Sequence, residues 1–281
     1  MEEPKKSRKK LVITSSGIVV VLVLFFIGYF YFTNSSIVPA QAHVESGEVL
    51  VNDKIVEGNI KLDKGDVIET GENSLATVFL YESIVINLEP NTLISIEDLA
   101  KDYPEILQQK GSTWNTFTKL FGIESHTIKT GNSVASVRAT AFGFKENYIL
   151  GGYGEVSYQI DGKVFSVLSK KVVEKVGEKI IERNATQEEV QRIMRGMGRA
   201  LKELKYLRER EIEKKPFLKS IIKWKTGLSD KELQNYLQDI DDEKINVDEL
   251  AEQAPFEIES IDKIVEITKS IQDINRRIRE L

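Results

Sequence analysis

Cysteine is missing from all 281 residues, and histidine and tryptophan occur only twice each. Without thiols there is neither a disulfide framework nor a thiolate metal site, so stability rests on packing alone. The two histidines, His43 and His126, have no partner at metal-ligand spacing, and both read as ordinary surface or strand residues. Catalytic signatures are lacking as well. There is no G-x-S-x-G elbow, and Gly151-Gly152-Tyr153-Gly154 is too short for a dinucleotide fingerprint and reads as strand and turn glycine. Asp239 to Leu250 has alternating acids, but Lys244 and Leu250 stand where a calcium loop needs Gly and Glu. That segment reads as a solvated acidic turn. These features predict a protein that is not an enzyme and that carries no cofactor and no metal.

What is present is a real core and an uneven charge. Hydrophobic residues make up 41% of the chain, enough for one to two domains. The net charge is −5, yet five basic residues and only two acidic ones fall in the first ten, which leaves −8 on the remainder. Nucleic-acid binding requires a basic face to neutralise phosphates, so the acidic body argues against it.

Residues 11–32 carry no charge. Twenty-two such residues in a helix reach across a hydrocarbon layer of about 30 Å, and basic residues before them with Tyr29, Tyr31 and Phe32 at the far end predict an inside N-terminus. The expectation is a single-pass protein of the cell membrane: cytoplasmic tail 1–10, transmembrane helix 11–32, linker 33–42, and residues 33–281 beyond the lipid bilayer. Ala40-Gln41-Ala42 offers a rival reading as a cleavage site, which the length of the apolar run disfavours.

From residue 43 to 183 the pattern is one of short β-type runs between turn residues, an all-β, antiparallel unit. Predicted strands include Glu48 to Val51, Asp66 to Glu69, Leu75 to Tyr81, Ile84 to Leu88, Leu93 to Ile96, Ser136 to Phe144, Glu155 to Ile160 and Lys163 to Leu168. Hairpins are expected at Asn52-Asp53 and Asp161-Gly162. A helical insertion is expected near 97–110. Gly47-Glu48-Val49 and Gly65-Asp66 are echoed by Gly154-Glu155-Val156 and Gly177-Glu178, which keeps a solenoid-like winding open.

Residues 184–281 change to helical spacing. Thr186 with Glu189 and Ser229 with Glu232 form capping boxes, and Asn246 with Glu249 resembles a third. Helices are predicted near 187–214, 217–225, 230–238 and 256–281, with a kink at Gly196 and Gly198. The last carries Ile264, Ile267, Ile271, Ile274, Ile278 and Leu281 at 3-4 spacing. Too few heptads are present for a confident coiled coil, so packing within the chain is favoured over weak self-association through Ile264, Ile271 and Ile278.

Three stretches of the β region resemble the FecR domain family of envelope-facing proteins. The first runs from Gly65 and Asp66 through Thr70 and Gly71 to Ala76; the second closes on Pro90, Asn91 and Thr92; the third contains Arg138, Thr140 and Phe142. Each has a structural reading of its own. Gly71 and Asn91 suit tight turns, and Arg138 between apolar neighbours calls for a carboxylate partner. Ala139 and Glu82-Ser83 depart from the family pattern, where Gly and an Asp-Gly turn are usual. The resemblance implies a sensor or protein-interaction module with a membrane or envelope protein as partner. Family members that restrain σ factors have a sizeable cytoplasmic domain, whereas ten residues precede the apolar run here, so inward signalling would need that partner. The alternative is an envelope scaffold or adhesion protein that binds polysaccharide or another protein without signalling.

Overall fold

The computed structural model describes residues 38–118, 123–137, 140–214, 220, 227, 229–252 and 259–281. Alternation of apolar and polar residues builds strand after strand: β1 (Ala40–Ser46), β2 (Val49–Val51), β3 (Lys54–Val56), β4 (Asn59–Lys61), β5 (Val67–Thr70), β6 (Leu75–Leu80), β7 (Ile84–Leu88), β8 (Leu93–Asp98) and β9 (Glu105–Lys110). Then follow β10 (Ser112–Phe117), β11 (His126–Lys129), β12 (Ser133–Val137), β13 (Ala141–Lys145), β14 (Tyr148–Tyr153), β15 (Glu155–Ile160), β16 (Lys163–Leu168), β17 (Lys171–Val176) and β18 (Lys179–Asn184). They form two nine-stranded sheets. Sheet A runs β18-β17-β14-β13-β10-β7-β6-β1-β4 and sheet B runs β16-β15-β12-β11-β9-β8-β5-β2-β3. The chain lays strands or hairpins alternately into one sheet and the other, advancing from the β4 and β3 edges toward β18 and β16. Every pairing is antiparallel except β9 with β11.

Side chains alternate across each strand, so sheet A has two buried faces. Ala76, Val78 and Leu80 of β6 join Ile84 and Ile86 of β7 in the core between the sheets, with Ile68, Ile94 and Tyr158 from sheet B. Phe79, Val85, Trp114 and Leu150 point the other way, into a second core closed by helices. Those helices are α1 (Gln187–Glu213), α2 (Asp230–Asp241), α3 (Val247–Glu252) and α4 (Glu259–Arg279). α1 lies on β7, β10, β13 and β14, and α4 packs along α1. The order is therefore three layers: sheet B, sheet A, helices.

Several expectations change. Among the described residues no helix is long and apolar enough to cross a membrane, so a fold class headed by a transmembrane helix is not what the architecture provides; residues 11–32 and the basic tail lie outside the described residues. The unit is mixed rather than purely antiparallel. The expected helical insertion near 97–110 is instead the end of β8 and all of β9, because Ile106 and Gln108 alternate into the interior where a helix would have placed them on different faces. Ser136 to Phe144 is two strands in two sheets, not one. The linker expected over 33–42 ends early, since Ala40 and Ala42 are fully buried in β1. A cut after Ala42 would remove Ala40, Gln41 and Ala42 from that seven-residue strand.

The helix signals fare better. Both capping boxes form, at Thr186 and Ser229, and Asn246 bonds Glu249 and the Asp248 amide ahead of α3. Most of the helix expected near 217–225 lies outside the described residues. α1 runs unbroken through Gly196 and Gly198. Gly196 is there for close approach: a Cβ on it would sit 2.2 Å from the Trp114 ring, while one on Gly198 would meet nothing within 4 Å. Ile267, Ile271 and Ile274 are buried in the second core and Ile278 packs on it, while Ile264 is half-buried.

Candidate functional site

The densest chemistry lies in the seam between the outer face of sheet A and the helices. Its centre is a turn. Tyr81, Glu82 and Ser83 join β6 to β7, with φ of 51° at Tyr81 and 55° at Glu82, a left-handed conformation that costs a non-glycine residue energy. This is the position where Glu82-Ser83 departs from Asp-Gly, and the hairpin closes regardless. Glu82 is completely buried, with Lys263 Nζ of α4 2.5 Å from its Oε2. Lys263 also reaches Glu211 Oε2 of α1 at 3.2 Å, and Glu211 in turn holds Lys214 at 2.6 Å. Burial raises the Glu82 pKa above the usual carboxylate range, and the Lys263 ammonium works against that rise.

Further contacts run along the β1 and β7 neighbours of β6, away from the turn. Arg199 of α1 bridges Glu45 and Glu89 at 2.8 Å each and donates to the Leu88 carbonyl. Thr77 donates to the same Glu45, and Asn87 donates to Thr77. Two residues before Glu45 on β1, His43 Nδ1 lies 2.7 Å from Oε2 of the fully buried Glu203, and the imidazole stacks on Tyr206 with ring centres 4.4 Å apart. Arg210 donates to Gln41 at 2.8 Å. Across the seam the sheet side contributes Glu45, Glu82 and Glu89 and the helix side answers with Arg199, Arg210 and Lys263, while the helix-side acids Glu203 and Glu211 are met by His43 and by Lys263 with Lys214.

Outlying pairs hold the helices to each other and to the rim. Arg208 grips Asp241 of α2 through two bonds of 2.5 and 3.0 Å, so the segment expected to be a solvated acidic turn contains a buried ion pair. Arg183 of β18 clamps Glu189 at 2.7 and 2.8 Å. With the Thr186 amide and Tyr148 hydroxyl also donating, the Glu189 carboxyl is pulled down to about 2, the Arg183 bond being the largest cause. Among the described residues no group of acids and histidines converges as a metal site would require.

The family-signature residues sit elsewhere, at the crossings between sheets. Thr70 Oγ1 donates to the Glu89 carbonyl and accepts from the Thr92 amide; Thr92 exchanges bonds with Ser112. The Gly71 carbonyl accepts from Asn91, whose φ is 57°, beside Pro90. Asp66 accepts from Asn52 and from the Asp63 amide, next to Gly65 at φ 92°. Thr140 donates to Tyr153 O, and Phe142 is interior. Arg138 lies outside the described residues. These residues stitch turns together and do not converge on a pocket.

Sequence reading missed the seam, although its signals were present. Lys263 stands four residues before Ile267, inside the apolar stripe of α4. Glu211 continues the stripe Met197, Ala200, Leu204, Leu207 of α1 at helical spacing. A charge at a core position calls for a partner across the interface.

No family model matches the chain, and no curated protein matches it. Among solved structures, two crystal structures of a candidate anti-sigma factor from Parabacteroides distasonis ATCC 8503, at 2.50 and 1.65 Å resolution, align with TM-scores of 0.40 and 0.39. Each is 16% identical, and the match covers 44% of this chain and 62% of theirs, so the chain spans less than two thirds of their length.

Proposed function

We propose that this chain is a non-catalytic regulatory protein of the cell envelope, a sensor or protein-interaction module whose helical layer is the responsive part. The carrying observation is the seam: Glu82, Glu45 and Glu89 on the sheet side are answered by Lys263 and Arg199 on the helices, an arrangement that joins layers rather than presenting groups to a substrate. Ion pairs of this kind add little net stability over apolar packing but specify which surfaces meet. The likeness of residues 65–76, 82–92 and 137–142 to the FecR domain supports an envelope setting. The order of basic residues before an uncharged stretch supports placing the described body outside the cytoplasm.

The test is photo-crosslinking in living cells from a reactive residue at exposed Met194 on α1. A defined protein adduct whose yield changes when the seam is broken by Lys263→Glu is the expected result. Absence of any protein adduct there, together with substrate turnover by the purified chain, would replace this reading with an enzymatic one.

A further inference from the structure

The two buried faces of sheet A are closed by different means. Between the sheets the core is mostly aliphatic. Under the helices, Gln41 Nε2, Asn87 Oδ1, Thr116 Oγ1, Glu203 Oε1, Arg199 Nε and Arg210 Nε are buried without a hydrogen-bond partner among the described residues, as are Asn115 Oδ1 and His126 Nε2 between the sheets, where no buried ion pair of the described residues accompanies them. Desolvated charges and unmet polar atoms lower the net gain from closing an interface, so this one opens at less cost than the sandwich. Opening would uncover a sheet face bearing Glu45, Glu82 and Glu89 around Phe79, Val85 and Trp114. Its complement is already visible, because α1 and α4 fill it with aliphatic side chains flanked by Arg199, Arg210 and Lys263.

We propose that the outer face of sheet A is a receptor for an amphipathic helix with arginine or lysine beside its apolar stripe, occupied in cis by α1 and α4, and that a partner protein supplies such a helix in exchange. This rests on the regulatory reading above and gives its partner a chemistry. The glycine at 196 sets the fit: Trp114 rises from β10 into the notch left by the missing side chain, flanked on its own sheet by Gly143 and Gly152. An incoming helix therefore needs a small residue at that point, three residues before the cation that replaces Arg199.

The experiment uses the full chain carrying Gly196→Val, in which the new side chain meets the indole and lifts α1 while leaving the sheet face intact. The probe is a fluorescent peptide of residues 186–214, with its Arg199→Glu, Arg210→Glu version as control. The lifted chain should bind the native peptide at least tenfold more tightly than the unaltered chain does, and the control peptide tenfold less tightly. Equal binding of both peptides would overturn the charge-matched receptor. So would a folded Gly196→Val chain with solvent-shifted Trp114 emission and no binding. Should that chain fail to fold, the full chain with Arg199→Glu and Arg210→Glu is used with the native peptide, and a failure of this variant also to open or to bind shows one indivisible core and overturns the proposal. A cellular adduct at Met194 with no peptide binding would leave the regulatory reading standing and remove only this inference.

Discussion

His126 is sealed between the sheets with its Nδ1 3.2 Å from the Pro104 carbonyl and its Nε2 unpartnered. Burial pushes its pKa down from the ordinary imidazole range to about 4. A depressed histidine contributes stability that is complete above about pH 6.5 and is lost as the pH falls through 4, because the unfolded chain takes up the proton first. Melting temperature should therefore decline between pH 6.5 and 4 in the native chain, and His126→Gln should flatten that part of the curve. An unchanged slope would show that other groups carry the acid sensitivity; Glu189, held near 2, acts below about 4.5 and is separable. The two α1 glycines make a sharper pair. Gly196→Ala forces a methyl onto Trp114 and should destabilise by about 1 to 3 kcal/mol. Gly198→Ala meets open space and should stabilise by about 1 kcal/mol. Urea unfolding of both decides it. Sequence alone flagged both residues but read them as a shared weakness, since helix propensity does not reveal what crosses the helix.

At the level of elements, turn chemistry and caps were legible and sheet assignment was not. Asn52-Asp53 and Asp161-Gly162 adopt the left-handed conformations their residue types favour, and Thr186 and Ser229 cap as their spacing requires. Local sequence does not say, however, whether the next strand stays in its sheet or crosses to the other. Thus Ser136 to Phe144 read as one strand, and β1, β3, β4, β9, β10, β11, β14, β17 and β18 were not among the predicted strands. The seam was hidden for the same reason, its partners being far apart in sequence. Its strength is measurable. Lys263→Met leaves Glu82 and Glu211 buried without their shared cation and should cost about 3 to 5 kcal/mol, whereas adding Glu82→Leu should recover a large part of it. No recovery in the double variant would mean that Lys263 matters through Glu211 alone.

For the whole molecule, the helical layer completes the β unit's second face. Residues 43–183 read in the sequence as an all-β unit, yet Phe79, Val85, Trp114, Leu150 and Val172 are buried in a core shared with α1 and α4. A chain ending at residue 184 should keep β-type circular dichroism but bind a hydrophobic dye and self-associate, an exposed apolar face of this size being sticky. A monodisperse, dye-silent product would show the face to be tolerated in water.

The winding of the strands also implies an order of assembly. Each strand pairs with neighbours close behind it in sequence, Ala40 with Leu80 being the widest separation, so the sandwich can be built from its N-terminal edge while later residues are still being synthesised. α1 then reaches back across 160 residues to set Glu203 on His43. That last step inspects β1, and a nascent chain whose β1 has been clipped or misregistered would be left with its cover open and its charges unanswered.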